Sequence, residues 1–199
     1  MAAVKTPRVL TPEDILPLAD YAKIRRERRR AISELKKRRR VEVGPFATFY
    51  FENFETMRQQ VQEMLYVEKG GEAQLEDELR AYNPLIPQGN ELVATMMIEI
   101  DDPTRRANAL ARLGGIEDHI FLEVDGERIA GKPDPERENT NPEGKASSVQ
   151  FIWFAFTPAQ IARFSAPGAR VVAGVDQPNY AHMAVMPETV RAALAEDFD

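Results

Sequence analysis

The residues best able to do chemistry in this chain are carboxylates and amides, because it has no cysteine and only two histidines. His119 and His182 lie far apart and form no Glu-x-x-His or His-x-x-x-His pair of the kind that holds a metal ion. The lack of cysteine excludes a thiolate nucleophile, a disulfide and a cysteine-ligated iron–sulfur cluster. Neither a serine elbow nor a glycine-rich phosphate loop is present. We therefore expect no metal and no cofactor, and the sequence identifies no catalytic residue.

A run of glutamines beside a glutamate is the clearest polar candidate. On a helix, Gln59, Gln62, Glu63 and Tyr66 share one face, and amide donors next to a carboxylate suit a polar ligand or a partner's backbone. A solvated helix face is the commoner meaning of such a stripe. Loops next to regular elements also carry sites. We therefore add as candidates the residues at the end of the predicted helix 72–82 and in the loop after the predicted strand 170–175. The ligand-binding candidates are Gln62, Glu63, Tyr82, Asn83, Asp176 and Tyr180.

These candidates leave two functions open besides partner binding. One is a small-molecule-binding protein, and the other is an enzyme that uses its carboxylates for general acid–base work. Both require Glu63, Tyr82 and Asp176 to meet in one pocket, which the sequence alone does not test.

The charge distribution is uneven along the chain. Residues 23–40 carry eleven Lys/Arg and two acids. Residues 1–40 hold 13 bases and 5 acids, a net of +8, whereas residues 41–199 hold 13 bases and 27 acids, a net of −14. The basic segment must therefore face an anionic neighbour, which could be the acidic body, another protein or a nucleic acid.

The basic segment is expected to be a helix. A helix start is predicted at Thr11-Pro12, with a break near residues 19–21, and no Gly or Pro interrupts residues 18–43. No aromatic residue lies between Ala22 and Pro45, which disfavours single-strand recognition by base stacking. Docking on protein is therefore favoured over a helix that is merely solvated, and nucleic acid comes last; a homodimer is a further alternative. The candidate partner-binding residues are Arg29, Lys36, Lys37, Arg38, Arg39 and Arg40.

Alternating and helical patterns predict an α+β fold. Extended segments are expected at 41–51, 92–100, 120–124, 128–130, 149–156 and 170–175, and helices at 54–69, 72–82, 104–113, after Pro158 and after Pro187. Strands that occur in pairs favour a single domain with a largely antiparallel sheet, helices on one face and an N-terminal basic helix. Residues 1–40 form the helical segment, and residues 41–199 form the α+β domain with an exposed loop at 131–147.

The location of the protein follows from what the sequence lacks. No apolar run approaches the length of a membrane span, and residues 1–7 show no apolar region of a signal peptide. We expect a cytoplasmic protein.

Several blocks together resemble an uncharacterised bacterial family of unknown function, about 200 residues long. They are Leu10–Asp14, Lys36–Pro45, Val61–Leu65, Tyr82–Pro87, Gly115–Asp118, Ser147–Phe151 and Gly174–Pro178. Members of that family are encoded near rubrerythrin-like and iron–sulfur oxidoreductase-like proteins. The resemblance thus implies a non-catalytic accessory protein of a redox or oxidative-stress system, with such a redox protein as its partner.

Overall fold

The computed structural model describes residues 8–199. Residues 1–7, which carry the expectation that there is no signal peptide, lie outside the described residues. The first element is a 3-10 turn at Pro12–Asp14, where the Asp14 carboxylate accepts hydrogen bonds from the amide and hydroxyl of Thr11. A non-helical break follows at residues 15–17, and not at residues 19–21 as predicted. Pro17 sterically disfavours helical backbone at the residue that precedes it.

Helix α1 (Leu18–Lys37) contains most of the basic segment. The helix ends before the segment does, since Arg38 is its C-cap and Arg40 already belongs to strand β1 (Arg40–Val43). Tyr21 is the only buried residue of α1. The helix therefore rests on the protein along a narrow seam, and most of its surface faces solvent.

Within residues 8–199, nine strands form two antiparallel sheets. Sheet A has the order β1-β2-β3-β7-β6, with β2 at Ala47–Phe51, β3 at Glu91–Ile98, β6 at Lys132–Pro133 and β7 at Val149–Ala155. Sheet B has the order β5-β4-β8-β9, with β4 at Ile120–Val124, β5 at Glu127–Ala130, β8 at Val171–Gln177 and β9 at Tyr180–Val185. Asp125 and Gly126 both have positive φ, as a tight two-residue hairpin between β4 and β5 requires.

The remaining helices are α2 (Phe54–Glu68), α3 (Gly71–Tyr82), α4 (Pro103–Leu110), α5 (Pro158–Ser165) and α6 (Glu188–Ala195). Asn53 caps α2, and Asp102 and Thr157 cap α4 and α5, each by accepting a hydrogen bond from a first-turn amide. These starts agree with the sequence-based expectations to within two residues.

Alternation along the strands divides sheet A into two faces. One face packs against sheet B in the main core, to which β2 contributes Ala47, Phe49 and Phe51 and β8 contributes Val171, Ala173 and Val175. The opposite face of sheet A carries Val93, Phe151 and Trp153, which pack under α2 and the segment after α3. The molecule thus has three layers, namely helices α1–α3, sheet A and sheet B.

The α+β class with antiparallel pairing and helices on one face is confirmed, although the strands divide between two sheets. Loop 131–147 is predicted to be exposed, but parts of it pack against the rest of the protein. Strand β6 pairs with β7, Ala146 is buried, and the Arg137 guanidinium lies 4.3 Å from the centre of the Phe151 ring. Within residues 8–199, no helix has the length and apolarity needed to cross a membrane.

Tyr180 ties the two sheets together at their edge. Its hydroxyl donates to the Val43 carbonyl at 2.5 Å and accepts from the amides of Phe46 and Ala47 at 3.2 and 3.0 Å. Tyr180→Phe is expected to lower the free energy of unfolding by about 2–3 kcal/mol, because it leaves buried backbone groups unpaired. Urea denaturation measures this loss. Tyr82→Phe removes one 3.4 Å bond and should change stability by less than about 0.5 kcal/mol, and equal effects of both variants would contradict the assignment.

Candidate functional site

A buried carboxylate lies where β2 ends. Phe49 and Phe51 point into the core, so Tyr50 and Glu52 continue the opposite face of the strand, towards the helices. Glu52 precedes Asn53, the N-cap of α2, and the residue is only 5% exposed. The local sequence thus places an acidic side chain beneath the helical layer.

Glu52 is only half satisfied. Its Oε1 accepts a hydrogen bond from the Thr95 hydroxyl of β3 at 2.7 Å. Its Oε2 is buried and has no hydrogen-bond partner within residues 8–199. An unpaired buried polar atom costs roughly 1–3 kcal/mol, so this oxygen is an exception that calls for a physical explanation.

Glu52 lines a cavity of about 350 Å³ between the helices and sheet A, hereafter the Glu52 cavity. The cavity exists because α2 and α3 cover Val93 and Trp153 but leave the neighbouring rows of the sheet partly open. Its sheet side is formed by Tyr50, Glu52, Thr95, Met97, Val149 and Phe151, and its helix side by Lys36, Met57, Gln60, Tyr82 and Leu85. The walls are mainly apolar, with few polar groups, as is common in sites for small molecules.

A second depression of about 440 Å³ adjoins the cavity and shares Lys36, Tyr50 and Gln60 with it. We call it the basic groove, because its lining includes Arg29, Lys36, Lys37 and Arg40. Lys37 pairs with Glu34 at 2.7 Å, and Arg40 lies 3.9 Å from Glu42. Within the described part of the chain, Arg29 and Lys36 have no carboxylate within 4 Å. Two cations at the groove are thus free to meet an anion.

Arg39 is predicted to bind a partner, but the structure buries it inside the protein. It is 3% exposed, donates to the carbonyls of Phe51 and Glu52 at 3.0 Å each, and forms a buried ion pair with Asp197. Burial raises the pKa of Asp197, and the charge of Arg39 opposes that rise. Arg39 therefore holds the backbone that carries Glu52 and is not displayed to a partner in this structure.

Glu63, a predicted ligand-binding residue, fastens α1 to α2. Arg25 donates to both of its oxygens, with contacts of 3.0 and 2.8 Å, and the Tyr21 hydroxyl also donates to it. The Arg25 guanidinium is the main cause that lowers the pKa of Glu63. Gln59 completes the cluster by donating to Tyr21 at 2.5 Å.

This cluster gives a pH-dependent stability. Burial, together with the Glu63 carboxylate, raises the pKa of Tyr21 from 10.0 to about 12. The folded state keeps a proton that the unfolded chain loses, so the contribution of Tyr21 is complete below pH 10 and disappears as the pH rises towards 12. We expect the stability advantage of the wild type over Tyr21→Phe to shrink across that window in urea denaturation. An advantage that stays constant from pH 9 to pH 12 would contradict this account.

The other predicted ligand-binding residues do not converge on one site. Gln62 exchanges hydrogen bonds with the backbone of Leu16, and Asn83 does the same with Leu10. Tyr82 lines the Glu52 cavity.

Asp176 lies on sheet B, on the far side of the core from the helices. It accepts from Arg128 at 2.5 Å and lies 3.0 Å from His119. Hydrogen bonds with these two partners lower the pKa of Asp176, and His119 is the larger cause. Tyr180 lies at the edge of the sheets. Of the six candidates, only Tyr82 lines the Glu52 cavity. Glu63, Tyr82 and Asp176 therefore do not meet in one pocket as predicted.

Other sites carry less. Within residues 8–199, no three His, Asp, Glu or Cys side chains are placed to hold a metal ion together. An open groove of about 860 Å³ runs beside Trp153 and Arg137, but none of the unpaired buried side-chain atoms of the described residues lines it. The Glu52 cavity is therefore the stronger candidate.

Sequence reasoning missed Glu52 and Thr95. One signal could have indicated them, because an acid directly after the aromatic strand 48–51 continues its alternation on the face of Tyr50. The depth of that position depends on helices contributed by distant parts of the chain, so no local pattern reveals the burial.

A family model described as "Protein of unknown function (DUF3501)" matches residues 9–198. The crystal structure of a novel protein of unknown function from Burkholderia pseudomallei K96243, at 1.90 Å resolution, is similar to this chain with a TM-score of 0.89 and 40% sequence identity. The similarity covers 96% of this chain and 100% of the other. No curated protein matches the chain.

Proposed function

The chain belongs to the DUF3501 family of proteins of unknown function, and within it we propose that this protein binds a small molecule in the Glu52 cavity. The observation that carries the proposal is that Glu52, whose buried Oε2 has no hydrogen-bond partner within residues 8–199, lines a cavity of about 350 Å³. A ligand that donates a hydrogen bond to this oxygen would offset the cost of burying it.

Three features support a site rather than a packing defect. Arg39 donates a hydrogen bond to the Glu52 backbone carbonyl, and the Thr95 hydroxyl donates one to Glu52 Oε1. These bonds hold the side chain in place, so Oε2 is pre-organised. Apolar walls supply surface that a ligand can bury. Lys36 and two tyrosines add groups that could exchange protons, so a carboxylate-dependent enzyme is the catalytic form of this proposal.

A thermal-shift screen of small metabolites tests the proposal, with a blocked cavity as the comparison. Met97→Trp should fill the cavity, because Met97 lines it from the sheet side and is only partly exposed. Met183→Trp is the matched control, since Met183 is 67% exposed on β9 of sheet B. We expect compounds that stabilise the wild type and Met183→Trp but not Met97→Trp. Stabilisation that survives Met97→Trp in every case, or no stabilising compound, would refute the proposal.

A second candidate function is binding of an acidic protein through α1. The specific observation is that Arg26, Arg30 and Arg38 are exposed, lie outside the basic groove and have no carboxylate within 4 Å among residues 8–199. The redox association that the family resemblance implies would make this partner an acidic rubrerythrin-like or iron–sulfur protein. A second copy of this chain is the alternative, which sedimentation would reveal.

Charge reversal tests the second candidate. Arg26→Glu with Arg30→Glu should weaken binding of such a redox protein, measured by calorimetry at low salt, and wild-type affinity should fall as salt rises. Arg105→Glu with Arg112→Glu reverses two exposed charges on another part of the molecule and serves as the control. Equal effects of the two pairs, or affinity independent of salt, would remove this candidate.

A further inference from the structure

We infer that the ligand is a small organic anion that carries a hydrogen-bond donor at its other end, such as an aminoalkyl phosphate. This inference rests on the proposed ligand site and specifies the chemical class that fits it. It follows from three properties of the site, namely an acceptor at the floor, cations at the entrance and an apolar passage between them.

The floor of the site requires a donor. A carboxylate only accepts hydrogen bonds, and Glu52, which lines the cavity, has one buried oxygen without a hydrogen-bond partner within residues 8–199. A phosphate or carboxylate group cannot occupy that position, because two negative charges would meet in a poorly solvated place. An ammonium, amide or hydroxyl group can occupy it and gains a charge-assisted hydrogen bond.

The entrance requires an anion. Arg29 and Lys36 line the basic groove, and neither has a carboxylate within 4 Å within the described part of the chain. Guanidinium and ammonium groups together bind phosphate and carboxylate oxygens well. Glu63, the acid that lines the groove, is already occupied by Arg25 and Tyr21.

One ligand can reach both ends, because the cavity and the groove share Lys36, Tyr50 and Gln60. Between the ends, Met57, Met97 and Phe151 contribute apolar walls. An inorganic anion would make no contact with these apolar walls or with Glu52. A free polyamine would be repelled by the two unpaired cations, Arg29 and Lys36. A nucleic acid strand would bring phosphates towards the Glu52 carboxylate. The site therefore favours a molecule with unlike ends.

Calorimetric titration with a matched series of probes tests the inference. The probes are ω-aminoalkyl phosphates of increasing chain length, the alkyl phosphates of the same lengths, the corresponding alkylamines and inorganic phosphate. We expect at least one aminoalkyl phosphate to bind about 10–100-fold more tightly than its alkyl phosphate and its alkylamine. Glu52→Gln should abolish the preference for the amino group, since the replacement amide presents a donor to it.

The cationic end is tested with paired variants of one helix. Arg29→Gln with Lys36→Gln should weaken binding of every phosphate probe by about 10–100-fold. Arg26→Gln with Arg30→Gln removes the same charge from exposed positions outside the groove and should change binding by less than about twofold. Circular dichroism and thermal melting establish that all variants are folded.

The outcomes separate this inference from the function on which it rests. If no aminoalkyl phosphate exceeds its matched probes, or if the two helix pairs have equal effects, the anionic class is wrong. The ligand site itself would survive that result if other compounds bind the wild type and are blocked by Met97→Trp. If Met97→Trp blocks nothing, both proposals fail.

Discussion

Asp197→Ala is expected to lower the free energy of unfolding by about 3–5 kcal/mol, because it leaves the Arg39 guanidinium buried without its counter-charge. The side chains of Arg39 and Asp197 are 3% and 8% exposed, so solvent cannot replace the lost carboxylate. Arg39 also donates to the carbonyls of Phe51 and Glu52. The variant should therefore loosen the floor of the Glu52 cavity as well as the contact between the residue before β1 and the segment after α6.

Urea denaturation of Asp197→Ala and Asp199→Ala measures this effect against a close control. Asp199 pairs with Arg8, but its side chain is 56% exposed, and such pairs contribute at most about 1 kcal/mol. Replacing both Arg39 and Asp197 with apolar residues of similar size should recover much of the loss, since no buried charge then remains. A loss below about 1 kcal/mol for Asp197→Ala would show that the pair is not buried in solution.

Glu52→Gln is expected to make the ligand-free protein about 1–2 kcal/mol more stable and to reduce ligand affinity about 10–100-fold. Glutamine keeps an oxygen that can accept from Thr95, but it removes the charge of a carboxylate whose second oxygen lacks a partner. Opposite changes in stability and binding are typical of a residue retained for function at the expense of stability.

Denaturation and calorimetry on the same preparations measure the two halves of this prediction. Glu143→Gln, on the exposed surface of loop 131–147, is the matched control and should change neither quantity by a measurable amount. If Glu52→Gln destabilises the protein and leaves affinity unchanged, Glu52 is a packing residue and the ligand site is incorrect.

The elements of the fold could be predicted because their signals are local. Asn53, Asp102 and Thr157 mark helix starts, Asp125-Gly126 marks a hairpin, and alternation marks the strands. The division into two sheets could not be predicted. Strand β3 pairs with β7 across more than fifty residues, and strand patterns alone do not specify distant partners.

The basic segment shows the same limit at the level of single residues. Arg38, Arg39 and Arg40 are identical in type and adjacent, yet only Arg39 is buried. Its partner Asp197 lies 158 residues away, so no local pattern distinguishes the three. Likewise, Arg29 lines the groove whereas Arg26 and Arg30 do not, although the three are identical in type and differ only in the side of α1 that they occupy. The sequence indicated a docking helix, and the structure separates its bases into a buried anchor, a groove lining and an exposed set.

Methyl NMR of the methionine-labelled protein tests whether a small molecule binds in the Glu52 cavity. Met57 and Met97 line the cavity, whereas Met183 lies on sheet B and is exposed to solvent. With a compound that stabilises the wild type, we expect saturable shifts of the Met57 and Met97 methyl signals and an unchanged Met183 signal. Saturable shifts that leave Met57 and Met97 unchanged would contradict it.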